Sequence, residues 1–220
     1  MPNPIKISLR SEAISIILIL ASIIASFFFY AHFPDRVATH WDFNNEVNGW
    51  SSRAFAAFFF PALILGMYLL FLFLPWLDPK KDRYAEFSKP YNIFKTIMIV
   101  FMTTIYGLVG LNGMGYNVNV GLYTPLLVGI LFIIIGNYLS KFKLNWFIGM
   151  RTPWTLSSEE VWNKSNRFAG KLFILAGILM IAQIFFPATW RIPVFIGMIT
   201  VVVILPTAYS YWLYYKTKKK

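Results

Sequence analysis

The sequence contains no cysteine, which removes disulfides, thiol catalysis and thiolate-ligated zinc from consideration. Charge is scarce too: 13% of residues are Asp, Glu, Lys or Arg, against about 25% in soluble domains. Acidic residues are the rarest, nine against 20 Lys and Arg, and the only histidines are His32 and His40. An enzyme needs a base, a nucleophile or a metal set. The sole candidate cluster is His40 with Asp35 and Asp42, so neither catalysis nor a cofactor is expected.

What the chain has instead is apolar bulk. Hydrophobic residues make up 58% and aromatics 19%, and the mean hydropathy is +0.60. Crossing a hydrocarbon core about 30 Å thick takes around 20 mostly apolar residues as helix. Six runs of that length have no charge in their middles: 13–31, 55–75, 93–111, 122–139, 169–187 and 192–213. None alternates apolar and polar residues as barrel strands do. The expected fold is therefore all-α, a polytopic membrane protein with six transmembrane helices. The first run follows Lys6 and Arg10 as a signal peptide would, but "FFFY" carries it past the small residues of "ASIIAS", so an uncleaved span is expected. An ion-coupled transporter would place charged groups inside the bilayer, where these runs offer only Thr103, Thr104, Asn137 and Gln183. A small-molecule or peptide transporter or exporter remains the alternative reading.

Cations in short loops are retained in the cytoplasm. Of the 20 Lys and Arg, all but Arg36, Arg53 and Arg191 fall on one side of the six runs, predicting that both termini are cytoplasmic. The net charge of +11 then follows from topology and from attraction to anionic lipid, without direct contact to nucleic acid. The organisation expected is an N-terminal module, 1–92, with two spans and an extracellular loop at 32–54, then a four-helix module, 93–220, with a cytoplasmic loop at 141–168. The basic segment 76–91 reads as interface anchoring, and "PATWRIP" as a tight corner.

In the first large loop "ATHWDF" reads as an extended piece and Asn48-Gly49 as a turn, since both tolerate positive φ. His32, Asp35, His40 and Asp42 lack the i, i+4 or His-x-His spacing of a metal site, and no metal is expected. His40, Trp41 and Trp50 are expected to pack the loop onto the membrane surface. In the second loop Pro153 pushes Thr152 out of the α region. Ser157 with Glu160 reads as a capping box, opening a helix with Val161, Trp162, Ser165, Phe168, Ala169 and Leu172 on one stripe. Lys164, Arg167 and Lys171 lie on another. Arg151, between Gly149 and Pro153, needs acceptors, either backbone carbonyls or a partner carboxylate.

The stretch "NWFIGMRTPWTLSSEEVWNKSNRFAG" resembles the signature of the SdpI family of bacterial multi-pass membrane proteins. Its Asn145, Gly149, Arg151, Thr152, Pro153, Trp154, Thr155, Leu156, Trp162, Arg167 and Gly170 match that pattern throughout. The first loop is similar to the family's other module, of unknown function, at Pro34, His40, Trp41, Gly49 and Trp50. It departs at Asn45, where a Gly is expected, and at Asn48, where an Asp is expected. The resemblance implies a cell-membrane immunity protein, in a Gram-positive bacterium, that protects against a secreted toxic peptide and also signals by holding a winged-helix repressor at the membrane. On that implication Arg151, Thr152, Pro153, Trp154, Trp162, Lys164 and Arg167 would meet the soluble partner inside, and His40, Trp41, Gly49 and Trp50 the peptide outside.

Overall fold

The computed structural model describes residues 4–5, 7–42 and 44–218, so Lys6, Lys219 and Lys220 of the basic side and Phe43 of the extended piece lie outside the described residues. Seven α-helices and one hairpin follow in order: α1 (Leu9–His32), β1 (Arg36–Trp41), β2 (Val47–Ser52), α2 (Arg53–Leu77), α3 (Ser88–Gly113), α4 (Val120–Leu139), α5 (Pro153–Ser157), α6 (Glu159–Ala182) and α7 (Ala188–Lys218). All but the short α5 are long and apolar enough to cross a membrane. Their outward faces are rich in exposed Ile, Leu and Phe, as lipid-facing surface requires.

Hydropathy understates helix length because polar residues near a helix end can face inward or reach the headgroups. α6 starts at Glu159, ten residues before its apolar run. α7 starts at Ala188 and carries Pro193 and Pro206 within it, so 187–193 is a helix start and not a corner. Ahead of α3, Lys81–Phe87 forms a 3-10 helix in which Tyr84 and Phe87 are fully buried. Those two rings pack inward while Asp82, Ala85 and Glu86 of the same segment stay exposed.

Two compact units emerge, and each is described by itself. The first comprises Ile7–Leu72 and Lys95–Leu127. Its core runs through Ile19, Ile64 and Ile99 to Phe29, Phe33, Val37, Ala57 and Tyr106. Tyr106 Oη donates to the Ala57 carbonyl at 2.7 Å, and Phe29 stacks on Phe33 with ring centroids 5.2 Å apart. Gly110 is required where Phe29 lies against α3, since a Cβ there would overlap the ring.

The second unit comprises Met1–Lys6, Phe73–Phe94 and Val128–Lys220. One cluster gathers Tyr84, Phe87, Tyr91, Leu139, Phe142, Ile148 and Ala169, and another Ala176, Met180, Met198 and Val202. Helices α4 and α6 meet backbone to backbone. A Cβ on Gly136 would lie 2.6 Å from the Gly170 carbonyl, and one on Gly129 2.7 Å from the Gly177 carbonyl. Small residues are how membrane helices come this close, because lipid supplies no hydrophobic force between them.

Candidate functional site

The second large loop is built on buried amides. Asn145, with no exposed surface, uses its whole side chain: Oδ1 accepts from the N–H groups of Phe147 (2.9 Å) and Ile148 (2.7 Å), and Nδ2 donates to the carbonyls of Lys143 and Ile148, both at 2.8 Å. Asp78, also buried, accepts from Lys80 N–H (2.7 Å), Tyr84 Oη (2.9 Å) and Trp146 N–H (2.9 Å), and so ties residues 78–84 to the loop. Gly149 has φ +120°, which favours glycine, and a Cβ there would sit 2.8 Å from Asn166 Oδ1. That same oxygen accepts the Met150 N–H at 2.7 Å.

The turn then enters α5. Thr152 is its N-cap and pairs reciprocally with Thr155, whose N–H donates to Thr152 Oγ1 at 3.2 Å while Thr152 N–H donates to Thr155 Oγ1 at 2.8 Å. Pro153 occupies the first turn, where a missing N–H costs nothing. The cap of α6 is Ser158, not Ser157, and the capping box belongs to Thr152, not to Ser157 with Glu160. The reason is that 153–157 already forms a helix, so α6 needs its own start.

The side chains expected to form a docking surface are split by this fold. Trp162 is fully buried, its Nε1 donating to the Phe142 carbonyl at 2.8 Å. Thr152 is buried and shares a 3.0 Å hydrogen bond with Ser210 of α7. Both can shape such a surface only from beneath. Trp154 is half-buried, its ring edge-on to Tyr211 at 5.1 Å. Arg151, Pro153, Lys164 and Arg167 are exposed. Arg151 Nη1 donates to the Trp146 carbonyl at 2.8 Å, so a backbone oxygen fills the acceptor role, and Lys164 pairs with Glu160 at 2.6 Å. Arg83 adds a bridge from the 78–87 segment to Glu159 at 2.6 Å.

The first large loop is an antiparallel hairpin. Its turn falls at 42–46, where Asn45 takes φ 67° and Asp42 Oδ1 accepts the N–H groups of Asn44 and Glu46, each at 2.9 Å. Asn48 and Gly49 lie instead inside β2, because Asp42 and Asn45 supply the local bonds and the left-handed residue that a turn needs. Asn45 fits where a Gly was expected, and its Oδ1 accepts the Gly121 N–H at 2.7 Å. His40 faces Gly49 in the ladder, where a Cβ would lie 2.7 Å from His40 Cβ, and its Nδ1–H donates to Asn48 Oδ1. Asp35 pairs with Arg53 at 2.6 Å across the base. Val37 and Ala38 are buried, Trp41 is half-buried, and Trp50 is 53% exposed, so Trp50 projects from the hairpin. His32 Nδ1–H donates to the Phe28 carbonyl at 2.7 Å, leaving it apart from Asp42 and His40.

One constellation was not anticipated. Lys95 Nζ donates to both Glu12 oxygens, at 2.6 and 2.7 Å, and Tyr68 Oη donates to Glu12 Oε2 at 3.0 Å. The side chains of Lys95 and Glu12 are 2% and 3% exposed. Three helices, α1, α2 and α3, are thereby joined around a buried ion pair. The signal in the sequence was a lone carboxylate ahead of the first apolar run and a lone lysine inside the third.

Comparison with known proteins follows this geometry. The SdpI/YfhL protein family matches residues 141–210, covering the turn, α5, α6 and most of α7. A domain of unknown function, DUF1648, matches residues 17–65, which include the hairpin. The chain is 31% identical over 208 residues to "Immunity protein SdpI" of Bacillus subtilis (strain 168), covering 94% of this chain and 98% of that protein. No solved structure matches.

Proposed function

The chain belongs to the SdpI family, a multi-pass protein of the cell membrane, and from that membership we propose that it is an immunity protein protecting its own cell from a secreted toxic peptide. The observation that carries this reading is similarity to a protein of that name along nearly its whole length, spanning both the hairpin and the turn. On the orientation given by the cation asymmetry, the hairpin faces outward. Its rigid anchoring by Asp35–Arg53 and Asn45–Gly121, with Trp50 projecting, suits capture of an amphipathic peptide. The finer part of the proposal is that the turn at 145–170 recruits a soluble winged-helix repressor. Support for it lies in the exposed Arg151, Pro153 and Arg167, carried on a segment that Asn145, Asn166 and the Thr152–Thr155 pair already hold in place. Arg and Trp are the residues most often found at binding hot spots.

A deletion strain expressing the chain is challenged with culture supernatant from toxin-producing relatives. Wild type should survive, and a His40, Trp41 and Trp50 triple alanine variant present at normal membrane levels should not. Unchanged survival of that variant would make the hairpin a mere cap. Arg151→Ala and Trp154→Ala should keep protection and abundance but release the repressor. If they only deplete the protein, the turn is a folding device and the recruitment reading fails.

A further inference from the structure

Beyond Glu160 the chain has no Asp or Glu, yet cations continue at Lys164, Arg167, Lys171, Arg191, Lys216 and Lys218. We infer that α6 around Phe168 and the end of α7 together hold the headgroup of an anionic phospholipid. Lys164 finds Glu160, whereas Lys171 and Lys216 are exposed and form no ion pair among the described residues. Among the described residues, then, their charge lacks a counter-ion.

The surface between them is aromatic. Phe168 of α6 contacts Tyr209 of α7 with centroids 4.7 Å apart, and Tyr209 stacks on Trp212 at 5.9 Å. Lys216 Nζ folds back over the Trp212 ring at 4.6 Å from its centroid, and Lys218 Nζ over Tyr214 at 4.7 Å. Trp212 is 51% and Tyr211 50% exposed. Water-facing surface rarely carries a contiguous aromatic patch of this kind, whereas Trp and Tyr rings belong at headgroup level. Lysines folded onto those rings sit at the same depth as the rings, where lipid phosphates lie. An acidic soluble protein would meet charges standing beyond the rings and would leave the aromatic faces uncovered. Charge complementarity and depth thus favour the lipid.

Each basic residue close to a membrane surface contributes roughly fivefold to anionic-lipid affinity. The purified full-length protein is titrated in neutral detergent with phosphatidylglycerol, phosphatidylcholine and glycerol 3-phosphate, and bound lipid is counted by native mass spectrometry. Wild type should prefer phosphatidylglycerol over phosphatidylcholine, and high salt should erase the preference. Combining Lys171→Gln, Lys216→Gln and Lys218→Gln should weaken it on the order of a hundredfold. The three Lys→Arg changes should preserve it, and with the salt titration they decide the matter if the Gln variant does not fold. Equal binding of the two lipids, retention by a folded Gln variant or competition by glycerol 3-phosphate as strong as by the lipid would overturn the inference. The first would leave the patch as a surface for an acidic protein, the second would put the lipid on other cations, and the last would mean a free-phosphate site.

Discussion

Replacing Lys95 by Met should destabilise the protein as strongly as a large truncation in the core of the first unit. The methionine fills similar volume, so little cavity forms, and the cost comes from electrostatics. Glu12 would keep the 3.0 Å bond from Tyr68 and a 3.1 Å bond from Ser11 Oγ while losing both short bonds from Nζ. An uncompensated charge at 3% exposure costs about 3–5 kcal/mol when its partner is removed. Set against a total stability of about 5–15 kcal/mol, that is a large fraction. Changing Glu12 to Gln alongside Lys95→Met removes the stranded charge, and replacing a whole buried pair in this way is often near neutral. The double variant should therefore be more stable than Lys95→Met alone, leaving a coupling of about 3 kcal/mol in a double-mutant cycle. Unfolding by SDS in mixed micelles measures all four proteins. Simple additivity, or a cost for Lys95→Met below about 1 kcal/mol, would refute the reasoning and mean that water reaches the pair.

The other expectations concern the second unit. Gly136→Leu should push α4 from α6 and cost about 1–3 kcal/mol or more, whereas Gly197→Ala, where a Cβ meets nothing within 4 Å, should be neutral or slightly stabilising in the same SDS titration. Trp162→Phe leaves the Phe142 carbonyl unpaired in the interior and should cost about 1–3 kcal/mol, with proteolysis of the 141–158 loop as a local readout.

The six long helices were legible because a bilayer imposes one crude rule, a run of about 20 apolar residues, that survives without any knowledge of packing. Chain punctuation was harder to read. Ser157 and Ser158 are chemically alike, and only the competing helix at 153–157 decides which one caps α6. The strands of the hairpin are short, and Asn48-Gly49 carries a turn signal that Asp42 and Asn45 override with better local bonds. Tyr84 and Phe87 looked superficial because they stand among lysines, yet Asp78 and the loop at 145–148 draw them inward. For the Glu12–Lys95 pair the two lone charges were visible but their pairing was not, since they are separated by 83 positions and no local pattern relates them. At the turn, motif residues were visible but their roles were not: Trp162, a natural anchor for a partner by type, is spent wholly on the interior.

The glycine contacts between α4 and α6 limit how the turn can move. With carbonyls where even a methyl group would not fit, the two helices cannot close further, so the seam sets a lower limit on the separation of the loop's two ends. Mechanical input to residues 145–157 can then enter from the side, through Asp78–Trp146, Thr152–Ser210 and Trp154–Tyr211. The helix behind the last two contacts, α7, is interrupted by Pro206 four residues ahead of Ser210, where the ring removes a backbone hydrogen bond and lowers bending stiffness. A more compliant helix therefore rests against a closely packed pair.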